Sequence, residues 1–363
     1  MDSSLKYKLS AGAGLTLAAL AGYLLLWPVP AEPVTWTPQA APGYVGAHAP
    51  NTRLAGLQKI DIGTEHGPEH LAIGPDGKLY AAVTSGKILR MAPDGSQREV
   101  FASTGGRVLG FDFDANGRMI AADAMKGLLA IAPDGKITVL STQVEEGDPI
   151  RYADGVVVAP DGVIYFTDAS TRFAPAQWGG TFEASVLDIL EQSSTGRVLA
   201  YDPASGKTRV LASGLSFANG IALSGDGRTL YVNETGRYRI WKIDARSGQR
   251  AILFDNLPGY PDNLMRGRDG KIWVGLVKPR NPTIDKLAEK PFMRKLTLRL
   301  PRALWPVPKA YGHVFAFNEE GKVLVDLQDP SGAYPETTAV LETADRLFIQ
   351  SLHANFIGWM PRP

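Results

Sequence analysis

The chain has 363 residues, of which 44% are hydrophobic, and its formal net charge is +1. It can therefore bury a large core, and it lacks the broad basic field by which proteins hold nucleic acids, so no nucleic-acid partner is predicted. The absence of cysteine excludes disulfides, thiol nucleophiles and zinc–thiolate sites, while 39 glycines and 26 prolines favour short strands joined by tight turns.

The first 50 residues differ in composition from the rest of the chain. Two lysines precede an uncharged stretch, residues 9–27, which is rich in Leu, Ala and Gly and long enough to span a thin bilayer. This order predicts a single-pass type II signal-anchor, with residues 1–8 as a cytoplasmic tail, residues 28–50 as a Pro/Ala-rich tether, and the body periplasmic, luminal or extracellular. The alternatives are a signal peptide cleaved near Val29-Pro30-Ala31 and a helix buried in the core.

The remainder, residues 51–363, repeats a unit of about 40 residues. Each unit contains four short apolar stretches separated by turns, and Pro160-Asp161-Gly162 is one example of these turns. Asp-Gly between alternating apolar residues favours a hairpin, because the turn needs a positive φ. Four strands in such a period are typical of a β-propeller blade. The repeating segments are His66–Ser103, Arg107–Thr142, Arg151–Ser213, Leu215–Asn256, Leu257–Leu327 and Thr338–Met360.

The sixth segment is too short to hold an outermost strand. Leu54–Ile62, ahead of the first full segment, is predicted to supply that strand and close the ring, which removes exposed strand edges. The sequence therefore predicts an all-β protein, a six-bladed β-propeller with an N-terminal transmembrane helix. A sandwich of unrelated hairpins is the alternative, but it would not explain the fixed period.

Two insertions interrupt the repeat. Gly180–Ser193 carries apolar residues at helical spacing and predicts a short amphipathic helix. Pro282–Pro308 combines six basic residues with apolar ones. Long insertions in a compact domain often act as lids or binding elements. The second insertion is therefore expected either to rest on an anionic membrane surface or to be a solvated loop.

Acidic or amide motifs recur at one phase of the repeat, just before the innermost predicted strand. They are Gly67-Pro68-Glu69-His70, Tyr152-Ala153-Asp154-Gly155, Phe217-Ala218-Asn219-Gly220 and Tyr260-Pro261-Asp262-Asn263. Residues at equivalent positions of successive blades lie at the same distance from the propeller axis. The oxygen-bearing side chains of these motifs are therefore predicted to converge on the axis. Carboxylates packed together need a counter-ion, and an all-oxygen set favours a hard ion. Ca²⁺ fits best, with another divalent cation as the alternative. The predicted ligands are Glu69, Asp154, Asn219, Asp262 and Asn263.

Taken singly, an Asp-Gly or Asn-Gly pair is more often a turn than a ligand. The matched phase in four units is what makes the group convincing. The aspartates of the following turns provide the contrast, and they are assigned no chemistry. They are Asp76, Asp161, Asp226 and Asp269.

At these motifs the chain resembles the strictosidine synthase-like branch of the calcium-dependent phosphotriesterase superfamily, which includes the SMP-30/gluconolactonase proteins and the paraoxonases. The resemblance covers most of residues 50–360, and its most specific part is Leu257-Pro258-Gly259-Tyr260-Pro261-Asp262-Asn263. It implies a six-bladed propeller whose axial metal is held at positions matching Glu69, Asn219 and Asp262. It also implies a type II anchor in some members.

The chain departs from these families at three positions. Many relatives have Asn where this chain has Ala153, so one ligand is lost or is replaced by Asp154. The leading histidine of the paraoxonase pair would fall near Leu109, and no histidine is there. The glutamate of true strictosidine synthase would fall at a threonine, with Glu336 slightly out of phase. That departure argues against the alkaloid-forming condensation.

These features favour a metal-dependent hydrolase of small esters or lactones, arylesterase-like or lactonase-like. Asp262 and Glu69 are predicted to be catalytic as well as metal-binding, through activation of water. The alternative is a non-catalytic, membrane-anchored propeller that binds a small molecule or a partner around a structural metal. A strictosidine synthase-type condensation is the third hypothesis. Residues predicted to contact substrate are His70, His353, Tyr260 and Glu336.

Overall fold

Six four-stranded antiparallel sheets surround a common axis, so the predicted six-bladed β-propeller is confirmed. The computed structural model describes residues 3–362, and their side chains from residue 12 onward. The strand preceding the first blade is β1 (Gln58–Asp61). Blade 1 contains β2 (His70–Ile73), β3 (Leu79–Ala82), β4 (Lys87–Met91) and β5 (Glu99–Ser103). Blade 2 contains β6 (Val108–Phe113), β7 (Met119–Asp123), β8 (Gly127–Ile131) and β9 (Ile137–Ser141).

The other blades follow in chain order. Blade 3 contains β10 (Ala153–Val158), β11 (Ile164–Asp168), β12 (Gly196–Asp202) and β13 (Lys207–Leu215). Blade 4 contains β14 (Ala218–Leu223), β15 (Thr229–Glu234), β16 (Arg239–Asp244) and β17 (Arg250–Phe254). Blade 5 contains β18 (Gly259–Arg266), β19 (Ile272–Pro279), β20 (Gly312–Phe317) and β21 (Val323–Asp329). Blade 6 contains β22 (Thr337–Glu342), β23 (Arg346–Ser351) and β24 (Phe356–Pro361).

The ring is closed by β1, which is the outermost strand of blade 6. It pairs antiparallel with β24, with Gln58 opposite Trp359 and Asp61 opposite Phe356. The prediction that Leu54–Ile62 completes the sixth blade is therefore confirmed. This closure joins the two ends of the propeller and gives the last blade its fourth strand.

Apolar clusters hold neighbouring blades together. Each of the six interfaces between blades has its own buried cluster, and Trp273 and Phe348 are among the largest fully buried side chains. Full burial of one such side chain stabilises a fold by about 1.5–3 kcal/mol. A seventh cluster lies elsewhere, over the inner strands of blades 2–4, and contributes to the site described below.

Glycines on the inner strands allow adjacent blades to approach closely. A Cβ on Gly155 would lie 3.0 Å from the backbone nitrogen of Ile221 in the next blade. A Cβ on Gly220 would lie 2.4 Å from the nitrogen of Leu264 and 2.5 Å from Cα of Asn263. Because these neighbours are backbone atoms, a larger residue at either position would push the next inner strand away.

Gly220→Ala is therefore expected to destabilise the protein by about 1–3 kcal/mol or more through overpacking. Chemical denaturation followed by circular dichroism measures this change. Gly22→Ala is the matched control, because nothing lies within 4 Å of the position where its Cβ would be. Equal stability of the two variants would contradict close contact between the inner strands of blades 4 and 5.

The N-terminal helix is α1 (Ser3–Leu26). Among the residues whose structure is described, no helix combines the length and apolarity needed to cross a membrane. The segment after α1, residues 28–50, lies along the propeller. Ala31 is fully buried, and the backbone nitrogens of Glu32 and Val34 donate to the side chain and the carbonyl of Glu191 at 2.7 Å.

Both insertions are helical. The first forms α2 (Thr181–Glu191) between β11 and β12, so the predicted short helix is confirmed. The second lies between β19 and β20 and forms α3 (Pro282–Leu287) and α4 (Pro291–Arg299), followed by a 3-10 turn. Asn281 caps α3 by accepting the backbone N–H of Thr283, and proline at the first helical position suits the start of both helices.

Two basic residues of the second insertion face inward, where they bind backbone carbonyls. Arg294 is 2% exposed and donates to the carbonyls of Leu190 and Ala288 at 2.7 and 2.9 Å. Arg299 donates to the carbonyl of Trp27 at 2.7 Å, just beyond the C-terminus of α1. A cation at a helix C-terminus is favourable. The expectation of a solvated loop is therefore wrong for α4, which joins α1 and α2 to the propeller.

Candidate metal centre at the propeller axis

A one-residue β-bulge marks the start of the innermost strand in blades 2–6. In blade 3, Ala153 faces Asp168 and Val156 faces Phe166, so two residues lie opposite one on the neighbouring strand. Such a bulge re-aims the side chains within it. The bulged residues are Leu109, Asp154 with Gly155, Asn219 with Gly220, Asp262 with Asn263, and Thr338 with Ala339. Every predicted ligand except Glu69 lies in one of these bulges.

Hydrogen bonds between blades show that these positions are close to the axis. Asn263 of blade 5 donates to the backbone carbonyl of Glu69 of blade 1 at 3.2 Å, although blade 6 separates them in the ring. Thr338 of blade 6 donates to the same carbonyl at 2.9 Å. In addition, Asn233 of blade 4 donates to the carbonyl of Asp262 at 2.6 Å. The ligand-bearing backbone is therefore braced by neighbouring blades.

The three axial carboxyl groups are buried and repel one another. Glu69, Asp154 and Asp262 are between 3% and 5% exposed. Burial raises the pKa of each, most strongly for Asp154 and Asp262, and the negative charge of Glu69 raises the pKa of both aspartates further. Ionising all three carboxyl groups together is therefore unfavourable here unless a cation compensates the charge, because water cannot screen it.

Arg107 adds a guanidinium to this cluster, and the sequence argument missed it. It forms a buried ion pair with Glu69, and both side chains are 6% exposed. Its backbone nitrogen donates to Asp123 at 3.1 Å, which fixes the start of the inner strand of blade 2. Arg107 lies two residues before the bulged Leu109, away from the position that the acidic motifs take in the other blades, so the repeat alone does not mark it.

Similar carboxylates fix the start of the inner strand in the next two blades. Asp168 accepts the backbone N–H of Tyr152 at 2.8 Å, and Glu234 accepts that of Ser216 at 2.9 Å. Both carboxylates are buried at the end of the second strand. These two carboxylates orient the backbone around the ligand positions, so their role is structural.

The residues on the axis fit a hard divalent cation. Asn219 is 5% exposed, and its Oδ1 atom has no hydrogen-bond partner within the described part of the chain. A buried amide oxygen without a partner is unfavourable unless an ion or water occupies it. Three carboxylates, one amide oxygen and a single arginine leave a donor set of oxygens with excess negative charge, as Ca²⁺ requires. Asn263 lies beside this set but uses its Nδ2 on Glu69.

The axial carboxyl groups are held apart in this arrangement. In the part of the chain the structure describes, only one set of three His, Asp or Glu side chains has its ligand atoms all within 4.8 Å of one another. It consists of His48, ahead of the propeller, with His313 and Asp326 of blade 5. The ion pair with Arg107 engages one of these carboxylates, that of Glu69.

Two residues predicted to contact substrate lie in the packed interior. His70 is 6% exposed and packs edge-on against Phe111, with ring centroids 4.8 Å apart, and burial lowers its pKa to about 4. Tyr260 is also 6% exposed, and its hydroxyl lies 3.1 Å from that of Tyr238. The structure therefore gives both side chains packing contacts between blades.

The other two predicted residues meet at the edge of the axial site. Glu336 pairs with His353 and with Lys278, whose Nζ lies 2.6 Å from Oε1. Its φ of +53° is an unfavourable conformation for a residue with a side chain, and such strain often marks functional sites. The His353 ring lies edge-on to Phe182 of α2, at 6.1 Å between centroids. An ion-paired cluster therefore borders the site below α2.

The Glu336 hydrogen bond raises the pKa of His353 above its ordinary value. A raised folded-state pKa adds stability that is complete below the unfolded value, about 6.5, and is lost as pH rises through the folded value. His353→Gln is therefore expected to reduce stability more near pH 6 than near pH 9. Urea denaturation at both pH values, with a chelator present, measures this. A pH-independent effect would contradict a charged His353–Glu336 pair.

An apolar roof covers the starts of the inner strands of blades 2–4. Leu109, Tyr152 and Phe217 of the inner strands cluster with Ala31 of the N-terminal segment and Leu187 of α2. The Tyr152 hydroxyl donates to the carbonyl of Thr181 at 2.8 Å, at the start of α2. This roof excludes water from the carboxylates and leaves the half-exposed His353 at the open edge.

Comparisons with known proteins agree with this architecture. Residues 46–91 match the model of the strictosidine synthase-like N-terminal region, and residues 76–284 match that of the SMP-30/gluconolactonase/LRE-like region. The strictosidine synthase-like protein 6 of Arabidopsis thaliana is 37% identical over 288 residues, which cover 77% of this chain and 73% of that protein. The adipocyte plasma membrane-associated protein of Salmo salar is 31% identical over 349 residues, covering 88% and 81%.

Solved structures share the fold at low sequence identity. A gluconolactonase from Xanthomonas campestris superimposes with a TM-score of 0.62 at 20% identity, covering 92% of this chain and 99% of that one. A calcium-binding regucalcin from Agrobacterium tumefaciens gives 0.56 at 14% identity, covering 84% and 93%. The predicted resemblance is confirmed: the chain belongs to the strictosidine synthase-like family, and it contains an SMP-30/gluconolactonase/LRE-like region.

Proposed function

We propose that this protein hydrolyses small esters or lactones with the help of a hard divalent cation, Ca²⁺, held at the propeller axis. One observation carries the proposal: three carboxyl groups and an amide oxygen without a partner are buried at or beside the starts of the inner strands, and the ion pair with Arg107 neutralises only one of the carboxylates. Glu69, Asp154, Asn219 and Asp262 would hold the cation, with Asn263 beside them. The Xanthomonas relative with the same fold is a gluconolactonase, which is consistent with this chemistry.

A bound Ca²⁺ would polarise the substrate carbonyl and stabilise the negative charge that develops on its oxygen. The protein itself would orient the substrate and activate water. The Asp262 carboxylate, or that of Glu69, would accept a proton from the attacking water. His353, Glu336 and Lys278 would position the substrate at the open edge, since they form the charged border there. The roof over the inner strands would keep bulk water out.

The experiment is a hydrolysis screen with aryl esters and γ-lactones, run on metal-free protein and again after Ca²⁺ is added. Turnover that needs Ca²⁺, and that a chelator abolishes reversibly, would support the proposal. Ca²⁺ binding that raises the melting temperature without any turnover across the panel would instead support a non-catalytic protein with a structural cation.

The ion pair between Arg107 and Glu69 favours that second candidate, a binding propeller. It engages one predicted catalytic carboxylate and gives it a structural partner. The third hypothesis, a condensation, is not supported by the position of Glu336. Although burial opposes it, hydrogen bonds from His353 and Lys278 lower the pKa of Glu336, so its carboxylate is already paired.

The membrane anchor predicted for residues 9–27 belongs to the same proposal. Relatives from Salmo salar and Rattus norvegicus are named adipocyte plasma membrane-associated proteins, which supports association with a membrane. Membrane fractionation of the full chain, followed by carbonate extraction, tests it. Recovery of the protein in the carbonate-soluble fraction would contradict an integral anchor.

A further inference from the structure

A second cluster of metal-ligand side chains lies at the outer part of blade 5. His48 Nδ1 and His313 Nε2 lie 2.7 and 2.8 Å from the same Asp326 oxygen, Oδ2. His48 ends a 3-10 helix (Gly46–His48) ahead of the propeller, whereas His313 and Asp326 lie on the paired strands β20 and β21. Three separate segments therefore bring two imidazoles and a carboxylate to one point.

Neighbouring amides fix the orientation of the Asp326 carboxylate. Its other oxygen, Oδ1, accepts hydrogen bonds from Asn51 at 3.0 Å and from Gln328 at 2.5 Å. The Gln328 amide oxygen in turn accepts the Tyr311 hydroxyl at 2.6 Å. These hydrogen bonds leave Oδ2 facing the two imidazoles. Hydrogen bonds from surrounding residues orient metal ligands in proteins in the same way.

The cluster is shielded from water. The side chains of His313 and Asp326 are 1% and 8% exposed, and His48 is 15% exposed. Aromatic rings enclose His313, with Tyr44 at 5.5 Å and Phe315 at 6.0 Å between ring centroids. A dry, low-dielectric surrounding strengthens any interaction between a cation and the carboxylate.

We propose that His48, His313 and Asp326 bind a borderline transition-metal dication of the Zn²⁺ class, separate from the axial centre. Two imidazoles and one carboxylate suit Zn²⁺, whereas hard Ca²⁺ takes oxygen ligands. A tetrahedral Zn²⁺ with ligands at about 2.0 Å holds neighbouring ligand atoms about 3.3 Å apart. The two nitrogen–oxygen distances, 2.7 and 2.8 Å, would therefore need to lengthen by only about half an ångström.

The bound ion would fasten the segment before the first blade onto the two outer strands of blade 5. That segment leads directly to β1, which closes the ring on blade 6. The metal would therefore stabilise the folded protein, by holding the N-terminal segment against blades 5 and 6. Since a metal that binds only the folded state adds its binding energy to stability, Zn²⁺ is expected to raise the melting temperature.

The test uses the full chain purified without a histidine tag, dialysed against Zn²⁺ and analysed by plasma mass spectrometry. The wild type is expected to hold one more equivalent of Zn²⁺ than His48→Ala. Asn51→Ala removes the hydrogen bond to Asp326 Oδ1, together with the ones that Asn51 Oδ1 accepts from the backbone N–H groups of Arg53 and Gln328. It leaves all three ligands in place and is expected to weaken Zn²⁺ binding by about 10–100-fold. Replacing Zn²⁺ with Co²⁺ should give visible ligand-field absorption in the wild type that His48→Ala lacks.

Two control variants separate this site from other Zn²⁺ binding. His66→Ala removes an exposed histidine elsewhere and should leave the stoichiometry unchanged. Asp262→Ala alters the axial centre and should retain the equivalent that depends on His48. His48 lies outside the propeller strands, so its replacement should not prevent folding. Equal Zn²⁺ content in the wild type and His48→Ala would overturn the proposal, as would a wild type without bound Zn²⁺.

Discussion

Asp262→Ala is expected to lower the hydrolysis of any responsive ester or lactone by at least about 10²–10³-fold, the loss seen when one group that stabilises developing charge is removed. Asp262 lies in the bulge of blade 5, it is 5% exposed, and it is one of three carboxyl groups around the axis. Its removal takes away a proposed metal ligand and a proposed proton acceptor together. Steady-state kinetics in saturating Ca²⁺ measures the loss.

Asp161→Ala is the matched control for this variant. Asp161 is an aspartate of a turn in blade 3, it is exposed, and its carboxylate accepts only the backbone N–H of Val163, at 3.1 Å. It should retain wild-type turnover. A folded Asp262→Ala with full activity would contradict the role of the axis in catalysis.

Replacing Asp262 is expected to have a different effect on the stability of the metal-free protein. Asp262→Asn keeps the size of the side chain but removes one of three mutually repelling buried charges. Without a cation, this variant should be at least as stable as the wild type, and it should lose most of the rise in melting temperature that Ca²⁺ causes. Repulsion between buried carboxylates lowers the stability of the metal-free protein, and a bound cation would relieve it. Such a loss of stability at a functional site is common in proteins.

Arg107→Met is expected to destabilise the metal-free protein by about 3–5 kcal/mol, the usual cost of leaving a buried charge without its partner. The side chains of Arg107 and Glu69 are each 6% exposed, so water cannot take over the role of the guanidinium. The remaining axial cluster would hold three carboxyl groups and no cation. Urea denaturation with a chelator present measures the loss.

Added Ca²⁺ should rescue Arg107→Met more than it stabilises the wild type, because Glu69 is released from its ion pair and the cation replaces the lost positive charge. Arg118→Met is the control in the same blade. Arg118 is 41% exposed and pairs with Asp114 at the surface, so its loss should change stability by no more than about 1 kcal/mol. Equal responses of the two variants to Ca²⁺ would contradict competition between Arg107 and a cation for Glu69.

The propeller could be predicted from the sequence because its signals are local and repeated. Asp-Gly turns at a fixed period define the strands, and the short sixth segment pointed to Leu54–Ile62 as the missing strand, which β1 supplies. The helix in Gly180–Ser193 followed from apolar spacing and is present as α2. These features depend on neighbouring residues in the chain, so one sequence is enough.

The axial residues could be predicted because they recur at equivalent positions of the repeat. The residues that they contact could not be predicted. Arg107 lies in a blade that lacks an acidic motif, so no repeated pattern marked it, and its pairing with Glu69 depends on the packing of blades 1 and 2. His48, His313 and Asp326 are far apart in the chain and meet only through tertiary structure. Tyr260 belonged to the most specific motif, yet it packs between blades.

The central claim is that the axis binds a hard dication. An anomalous difference map from crystals grown with Ca²⁺ tests it most directly. We predict a peak on the axis with oxygens of Glu69, Asn219 and Asp262 at about 2.3–2.6 Å. An axis without a peak, with Glu69 still paired to Arg107 and Asn219 Oδ1 bound only to water, would contradict the claim.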